Sequence, residues 1–204
     1  MLFEFALAEQ ATFLDMHAAA ALTESPARCA AYLRHALDEG RHALLFANQS
    51  EELRARRRLP PVGSLRQADI EYLYEQLGEV RFLAFVHLGE RRACEKFEVI
   101  QRWLDRHEGG VLVGALKGIL RDEERHTSYT YELLVELAGS ERLARRHVRD
   151  AALLYAWRSW RRWGKGLAEL VYGLLMLVVY LLVAPLALLV RVVRPTTAAW
   201  QRPS

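Results

Sequence analysis

The chain has 204 residues, 52% of them hydrophobic and 26% charged, with a formal net charge of +3. That length fits one domain with a sizeable core plus one further element, and the composition excludes a largely disordered chain. Acidic residues lie mainly in the first 140 positions and arginines cluster from Arg142 onward. No basic face lies within a fold, so nucleic acid is not an expected partner.

Only 6 prolines and 12 glycines interrupt a sequence rich in Ala, Leu, Glu and Arg, which predicts an all-α fold. The opening MLFEFALAEQ carries Glu4 and Glu9 inside its apolar run and has no basic segment before it, so it does not read as a secretory signal. Helix 1 is expected over about 3–22. Ser25 is placed to cap a second helix with Pro26 in its first turn, running to about Arg57, where Leu59-Pro60-Pro61 stops it. Cys29 and Cys94 form no CxxC pair and read as reduced, small buried residues of a cytosolic domain.

A crossover over 62–78, with a short helix near 69–77, leads to a third long helix over about 79–106. Gly109-Gly110 breaks the chain, and a fourth helix over about 111–138 ends at Gly139. Two tight hairpins joined by a longer crossover make a four-helix bundle over residues 1–139. Ser140 can cap a basic amphipathic segment over 140–165, followed by an anchor over 166–194 and a tail over 195–204.

The anchor reading rests on Leu170 to Val190, 21 residues without a charge. At 1.5 Å per residue they span about 31 Å, close to the hydrocarbon thickness of a bilayer. Arg158, Arg161, Arg162 and Lys165 precede the run, Arg191 and Arg194 follow it, and Trp157, Trp160 and Trp163 sit where an interfacial belt would lie. A core helix is the competing reading, but a four-helix domain of this size cannot bury 21 such residues. Pro185 is a candidate kink.

The chemistry is carried by a duplicated pentapeptide, Asp38-Glu39-Gly40-Arg41-His42 and Asp122-Glu123-Glu124-Arg125-His126. Both are DExRH, one on helix 2 and one on helix 4. Glu and His three apart share a helix face, so both side chains of each motif can reach one ion. A di-iron site in a bundle needs one more carboxylate from each remaining helix, at the same height. Glu9 and Glu39 are each 15 residues from Glu24 in the first turn, and Glu90 and Glu123 straddle the second turn. Glu4 lies five residues further out, and Glu95 and Glu98 miss in the other direction. Four carboxylates balance two Fe(II) ions. Without metal, two carboxylates about 5 Å apart repel by about 3 kcal/mol at an effective dielectric near 20, so packing alone does not explain such a set. Solvated surface charge is the plain alternative, and it requires both the duplication and the height match to be accidents.

The spacing of Glu9 to Asp38-Glu39-x-Arg41-His42, and of Glu90 to Asp122-Glu123-x-Arg125-His126, resembles the ferritin-like di-iron carboxylate superfamily over residues 3–139. That superfamily includes rubrerythrins, bacterial multicomponent monooxygenases, ribonucleotide reductase small subunits and demethoxyubiquinone hydroxylases. The resemblance implies Glu9, Glu39, His42, Glu90, Glu123 and His126 as ligands and catalytic centre for two Fe ions, with Mn or a mixed Fe/Mn pair as alternatives. It implies bridging by Glu39 and Glu123. It also implies that Asp38 and Asp122, supported by Arg41 and Arg125, orient the ligand histidines. His35, four before Glu39, and His87, three before Glu90, can face the site, but a hydrogen-bonded core role is favoured over a third ligand. Cys94 reads as a small core residue, His107 as a turn residue, and Tyr129 and Tyr131 receive no redox role.

The expected function is a membrane-anchored di-iron oxidoreductase that activates O2 and oxidises or hydroxylates a lipophilic substrate. A ferroxidase or peroxidase is the alternative, and a non-enzymatic, metal-stabilised membrane adaptor the third. Ala93 stands where rubrerythrins often carry a further glutamate, and no rubredoxin-type CxxC module is present, which weakens a rubrerythrin assignment. The expected partners are the membrane through the C-terminal helix, O2 or peroxide, an electron donor of unspecified identity and a second copy in a homodimer. The expected location is the cell inner membrane, single-pass, with the ligand domain in the cytoplasm.

Overall fold

The computed structural model describes residues 2–61, 72–107 and 111–193. The crossover residues 62–71, the Gly109-Gly110 break, Arg194, Arg202 and the 195–204 tail lie outside the described residues, as do the side chains of His107, Arg162, Lys165 and Arg191. Every described element is helical: α1 (Leu2–Leu22), α2 (Pro26–Arg56), α3 (Leu73–Leu77), α4 (Glu79–His107), α5 (Val111–Ala138) and α6 (Glu141–Val193).

The capping chemistry sets the boundaries. Ser25 adopts an extended conformation and its hydroxyl accepts the Arg28 N–H at 3.4 Å, with Pro26 in the first turn of α2. Gly139 takes φ 75°, the left-handed conformation that ends α5, and Ser140 Oγ then accepts the Leu143 N–H at 3.3 Å to start α6. The short crossover helix is confined to Leu73–Leu77 among the described residues, beginning after Tyr72, which holds φ 50°.

The chain divides into two compact units, Met1–Leu153 and Leu154–Ser204. In the first, α1 packs along α2 and α4 along α5, α3 touches α1 and α4, and α2 meets α5. Gly40 of α2 faces the Phe13 ring of α1, where a Cβ would sit at 3.4 Å, an ordinary van der Waals distance. Glu79, at the start of α4, ties the hairpins together. Its Oε1 accepts from Thr23 Oγ1 at 3.1 Å, Arg28 Nε at 2.8 Å and the Tyr32 hydroxyl at 2.8 Å.

The core has a layered order. One apolar layer holds Ala6, Phe46, Phe97, Leu104, Leu116 and Ile119, with Phe5, Phe46 and Phe97 in mutual ring contact at 5.3–5.5 Å. A second holds Met16, Ala19, Tyr32, Phe82, Leu83 and Leu134. Each such large apolar side chain stabilises the fold by roughly 1.5–3 kcal/mol. On α1, α2, α4 and α5 polar residues are buried between these layers: Glu9, His35, Glu39, His42, Glu90, Glu123 and His126. Ala144 and Ala151, seven apart on α6, are also buried in the first unit.

The second unit is the remainder of α6. An 18-residue window there has a mean hydropathy of 2.4 and none of it is buried, so this helix is long and apolar enough to cross a membrane. Pro185 lies inside the helix.

Candidate metal centre

Two groups of ligand-type atoms converge in the polar layer. Glu9, Glu39, His42 and Glu123 form one and His35, Glu39, Glu90 and His126 the other, with the donor atoms of each group within 4.8 Å of one another. All seven residues are buried, and Glu39 belongs to both groups. All six residues expected as ligands are thus brought together. The rejected candidates Glu4, Glu95 and Glu98 are not buried.

The distances suit a shared ion. Two donors each about 2.1 Å from one ion and at right angles stand about 3.0 Å apart. His126 Nδ1 lies 3.1 Å from Glu39 Oε1, His35 Nε2 lies 3.3 Å from both Glu39 Oε1 and Glu90 Oε1, and His42 Nδ1 lies 3.3 Å from Glu123 Oε1. Glu123 Oε2 is 4.0 Å from His126 Nδ1, which leaves Glu123 facing the second group as well.

Among the described residues, eight buried side-chain nitrogen or oxygen atoms make no hydrogen bond. Seven of them are here: His35 Nε2, both oxygens of Glu39, His42 Nδ1, both oxygens of Glu123 and His126 Nδ1. An unsatisfied buried polar group costs about 1–3 kcal/mol, and more when charged. Seven in one layer point to a partner of another kind, and carboxylate and imidazole donors in this arrangement fit divalent metal ions.

The two DExRH motifs brace each other crosswise. His42 Nε2 donates to Asp122 Oδ2 and His126 Nε2 to Asp38 Oδ2, each at 3.2 Å. Each aspartate therefore orients the histidine of the opposite motif. With Nε2 carrying the proton, each Nδ1 lone pair is left facing the cluster. Arg125 bonds Asp38 at 2.6 Å and Asp122 at 2.9 Å, and Arg41 pairs with Asp38, so both arginines close this end of the site. Partial burial would raise Asp38, but His126, then Arg41 and Arg125, hold it below its usual range.

The crowding of charge shows in proton affinities. Burial, then the charge of Glu39, pushes Glu9 well above the ordinary carboxylate range. Burial and Glu90 do the same to Glu123. Glu39 goes the other way: burial opposes it, yet contact with Glu9, His126 and His35 holds it well below. Burial works against a charged His35, but Glu90 and Glu39 push it up to about 10. His42 is raised by Glu123 and Glu39 against its burial.

The structure separates the two histidines that the sequence left in a core role. His35 enters the cluster, with Nε2 inward and Nδ1 2.6 Å from the Tyr129 hydroxyl, and its ring stacks on His126 at 3.7 Å. His87 does not: its Nδ1 donates to the Thr127 carbonyl at 3.1 Å and its ring lies 5.0 Å from Tyr131. Burial lowers His87 and suits it to a neutral ring. Cys94 is half-buried beside Thr127, and burial pushes its thiol up to about 11. The sequence signal for His35 is its position, one turn before Glu39 on the face that carries the candidate ligands.

The chain matches no protein-family model, no curated protein and no solved structure. The site therefore defines the class: an all-helical protein with two buried His/Glu clusters that could hold metal ions, loosely compatible with a ferritin-like fold.

Proposed function

We propose that this chain is a di-metal carboxylate oxidoreductase of ferritin-like architecture, attached to a membrane by α6 and acting with O2 on a lipophilic substrate. The observation that carries the reading is the convergence of seven unsatisfied ligand atoms in a layer otherwise enclosed by packed apolar residues. A pair of Fe ions there would supply a redox centre for O2 or peroxide.

The chain's own residues hold and orient. Asp38 and Asp122 keep the His126 and His42 lone pairs on the cluster. The apolar layers exclude water, which strengthens every charge interaction inside. A groove of about 920 Å³ with Leu37, Leu133, Arg125 and Tyr129 in its walls reaches His35 and His126, and offers a mixed apolar and cationic approach to the site. The unburied apolar helix supports a membrane location, and a long-chain substrate follows from that location. The inner membrane with a cytoplasmic ligand domain remains the topology we favour, because reduced cysteines and Fe(II) belong to that side.

The test is anaerobic loading of the full chain with Fe(II), then exposure to O2 or H2O2 with optical and Mössbauer detection. Two Fe per chain and rapid oxidation by O2 is the expected result. Much faster reaction with peroxide would move the assignment to a peroxidase, and failure to bind two ions would remove the di-metal reading.

A further inference from the structure

We infer that the two metal positions are unequal and that His35 makes them so, as a seventh ligand that turns one position nitrogen-rich. The inference rests on the di-metal reading above and concerns which ion each position takes.

The donor sets differ in kind. Glu9, Glu39, His42 and Glu123 offer three carboxylates and one imidazole. His35, Glu39, Glu90 and His126 offer two carboxylates and two imidazoles. Glu39 is common to both and Glu123 also faces the second group, so what sets the positions apart is the second imidazole, and the first is the richer in oxygen relative to nitrogen. Carboxylate oxygen suits Mn and Mg, whereas imidazole raises the preference for Fe, Co and Zn. The His35 position should therefore take the later transition ion and the Glu9 position tolerate Mn.

His35 is built for ligation. It is 1% exposed, and its Nε2 makes no hydrogen bond while standing 3.3 Å from one oxygen of Glu39 and one of Glu90. Its ring stacks on His126, and His35 Nε2 and His126 Nδ1 both stand about 3 Å from the same Glu39 oxygen, so both nitrogens could serve one ion. Tyr129 supplies what Asp38 and Asp122 supply to the other two histidines. Its hydroxyl oxygen can accept the Nδ1 proton at 2.6 Å, fixing the tautomer that leaves the Nε2 lone pair facing inward. The competing role is an imidazolium that pairs with Glu39 and Glu90 and stays unligated when metal is bound.

Proton NMR of the full chain loaded with Co(II) distinguishes the two. Each imidazole bound to Co(II) through one nitrogen carries an exchangeable N–H on the other, and that proton is shifted far outside the diamagnetic range. Two Co(II) per chain with three such signals is the expected result, falling to two in His35→Gln. Two Co(II) with two signals in the unsubstituted chain would overturn the inference while leaving the di-metal reading intact. Fewer than two Co(II) would overturn the di-metal reading itself. Calorimetry supplies the second readout. Stepwise Co(II) constants should differ by more than tenfold, stepwise Mn(II) constants by less, and His35→Gln should weaken one Co(II) step by about 10–100-fold. Equal separation for both metals, unaltered by His35→Gln, would refute the assignment of unequal positions to His35.

Discussion

The bundle and the far end of α6 break the ordinary rule of burial in opposite directions. In the bundle Glu39 and Glu123 are 0% exposed, while in α6 Leu175 is 59% exposed and Leu182 66%. Burying an uncompensated carboxylate costs several kcal/mol. Leaving a run of large apolar side chains in water forgoes about 25 cal/mol for each Å². Both arrangements are costly on the chain's own terms, and the proposed function relieves each with a partner of matching chemistry: cations for the one, a hydrocarbon medium for the other. A residue in the wrong environment for its type points to the chemistry that would relieve it, and the two regions point to two different chemistries.

The sharpest way to break the comparison is to remove the shared carboxylate. Glu39 stands in both clusters, so Glu39→Ala should abolish binding at both positions, read as a fall from two metal ions per chain to none by elemental analysis. Glu123→Gln should separate the two states further. The metal-free protein should become more stable, because a crowded carboxylate is gone, while the stabilisation on loading shrinks. For the unsubstituted chain that stabilisation is about 4 kcal/mol for each bound ion at a metal concentration 1,000 times Kd. Full two-metal occupancy in Glu39→Ala would sink the site.

The second test cuts the two regions apart. Residues 1–153 form the first compact unit and contain every candidate ligand, together with the buried Ala144 and Ala151 of α6. This fragment should be soluble and bind two ions, whereas the full chain should sediment with membranes and resist extraction by salt and carbonate. A full chain recovered in the soluble fraction would end the membrane reading.

Much of this was legible because helices convert spacing into geometry. The hairpin midpoints selected Glu9 over Glu4 and Glu90 over Glu95 and Glu98, and burial follows that selection. Ser25, Gly139 and Ser140 announced their boundaries because capping is local chemistry. What stayed hidden depends on contacts between helices. The spacing Asp-Glu-x-Arg-His does not say that Asp38 serves His126 rather than His42; only the approach of α2 to α5 decides it. His35 and His87 looked alike in sequence, one turn before a candidate ligand glutamate. Tyr129 turns the first into the site, and the Thr127 carbonyl holds the second away. Glu79 likewise looks like one more acidic helix start until Thr23, Arg28 and Tyr32 converge on it.

The crosswise bracing gives an intermediate effect. Asp38→Asn removes the charged acceptor behind His126 and leaves that behind His42 untouched. Metal affinity should fall by about 10–100-fold at one position only, as is usual when the acceptor behind a ligand histidine is lost. Asp122→Asn should do the same to the other. Equal weakening of both steps by either variant would mean that the two aspartates act through a common structural change instead.

The smallest effect is a pH dependence, and its sign separates the metal-free bundle from the loaded one. In the metal-free protein His35 titrates at about 10, pushed up by Glu90 and Glu39, against 6.5 in the unfolded chain. A group raised on folding contributes stability that is complete below its unfolded value and is lost as pH climbs through the folded one. Glu9 and Glu123, also raised, act in the same direction. Glu39 and Asp38, both lowered, have made their full contribution before pH 6.5 is reached, since their unfolded values are 4.5 and 3.8. The Tm of the metal-free protein should therefore fall steadily between about pH 6.5 and 10, by several degrees. Metal binding displaces these same protons, so affinity rises over the same window. The loaded protein should hold its Tm while the metal-free protein loses it, and the gap should widen with pH. Parallel curves in paired calorimetric scans would show that metal displaces no protons from the cluster, and the ions would then have to lie elsewhere in the bundle.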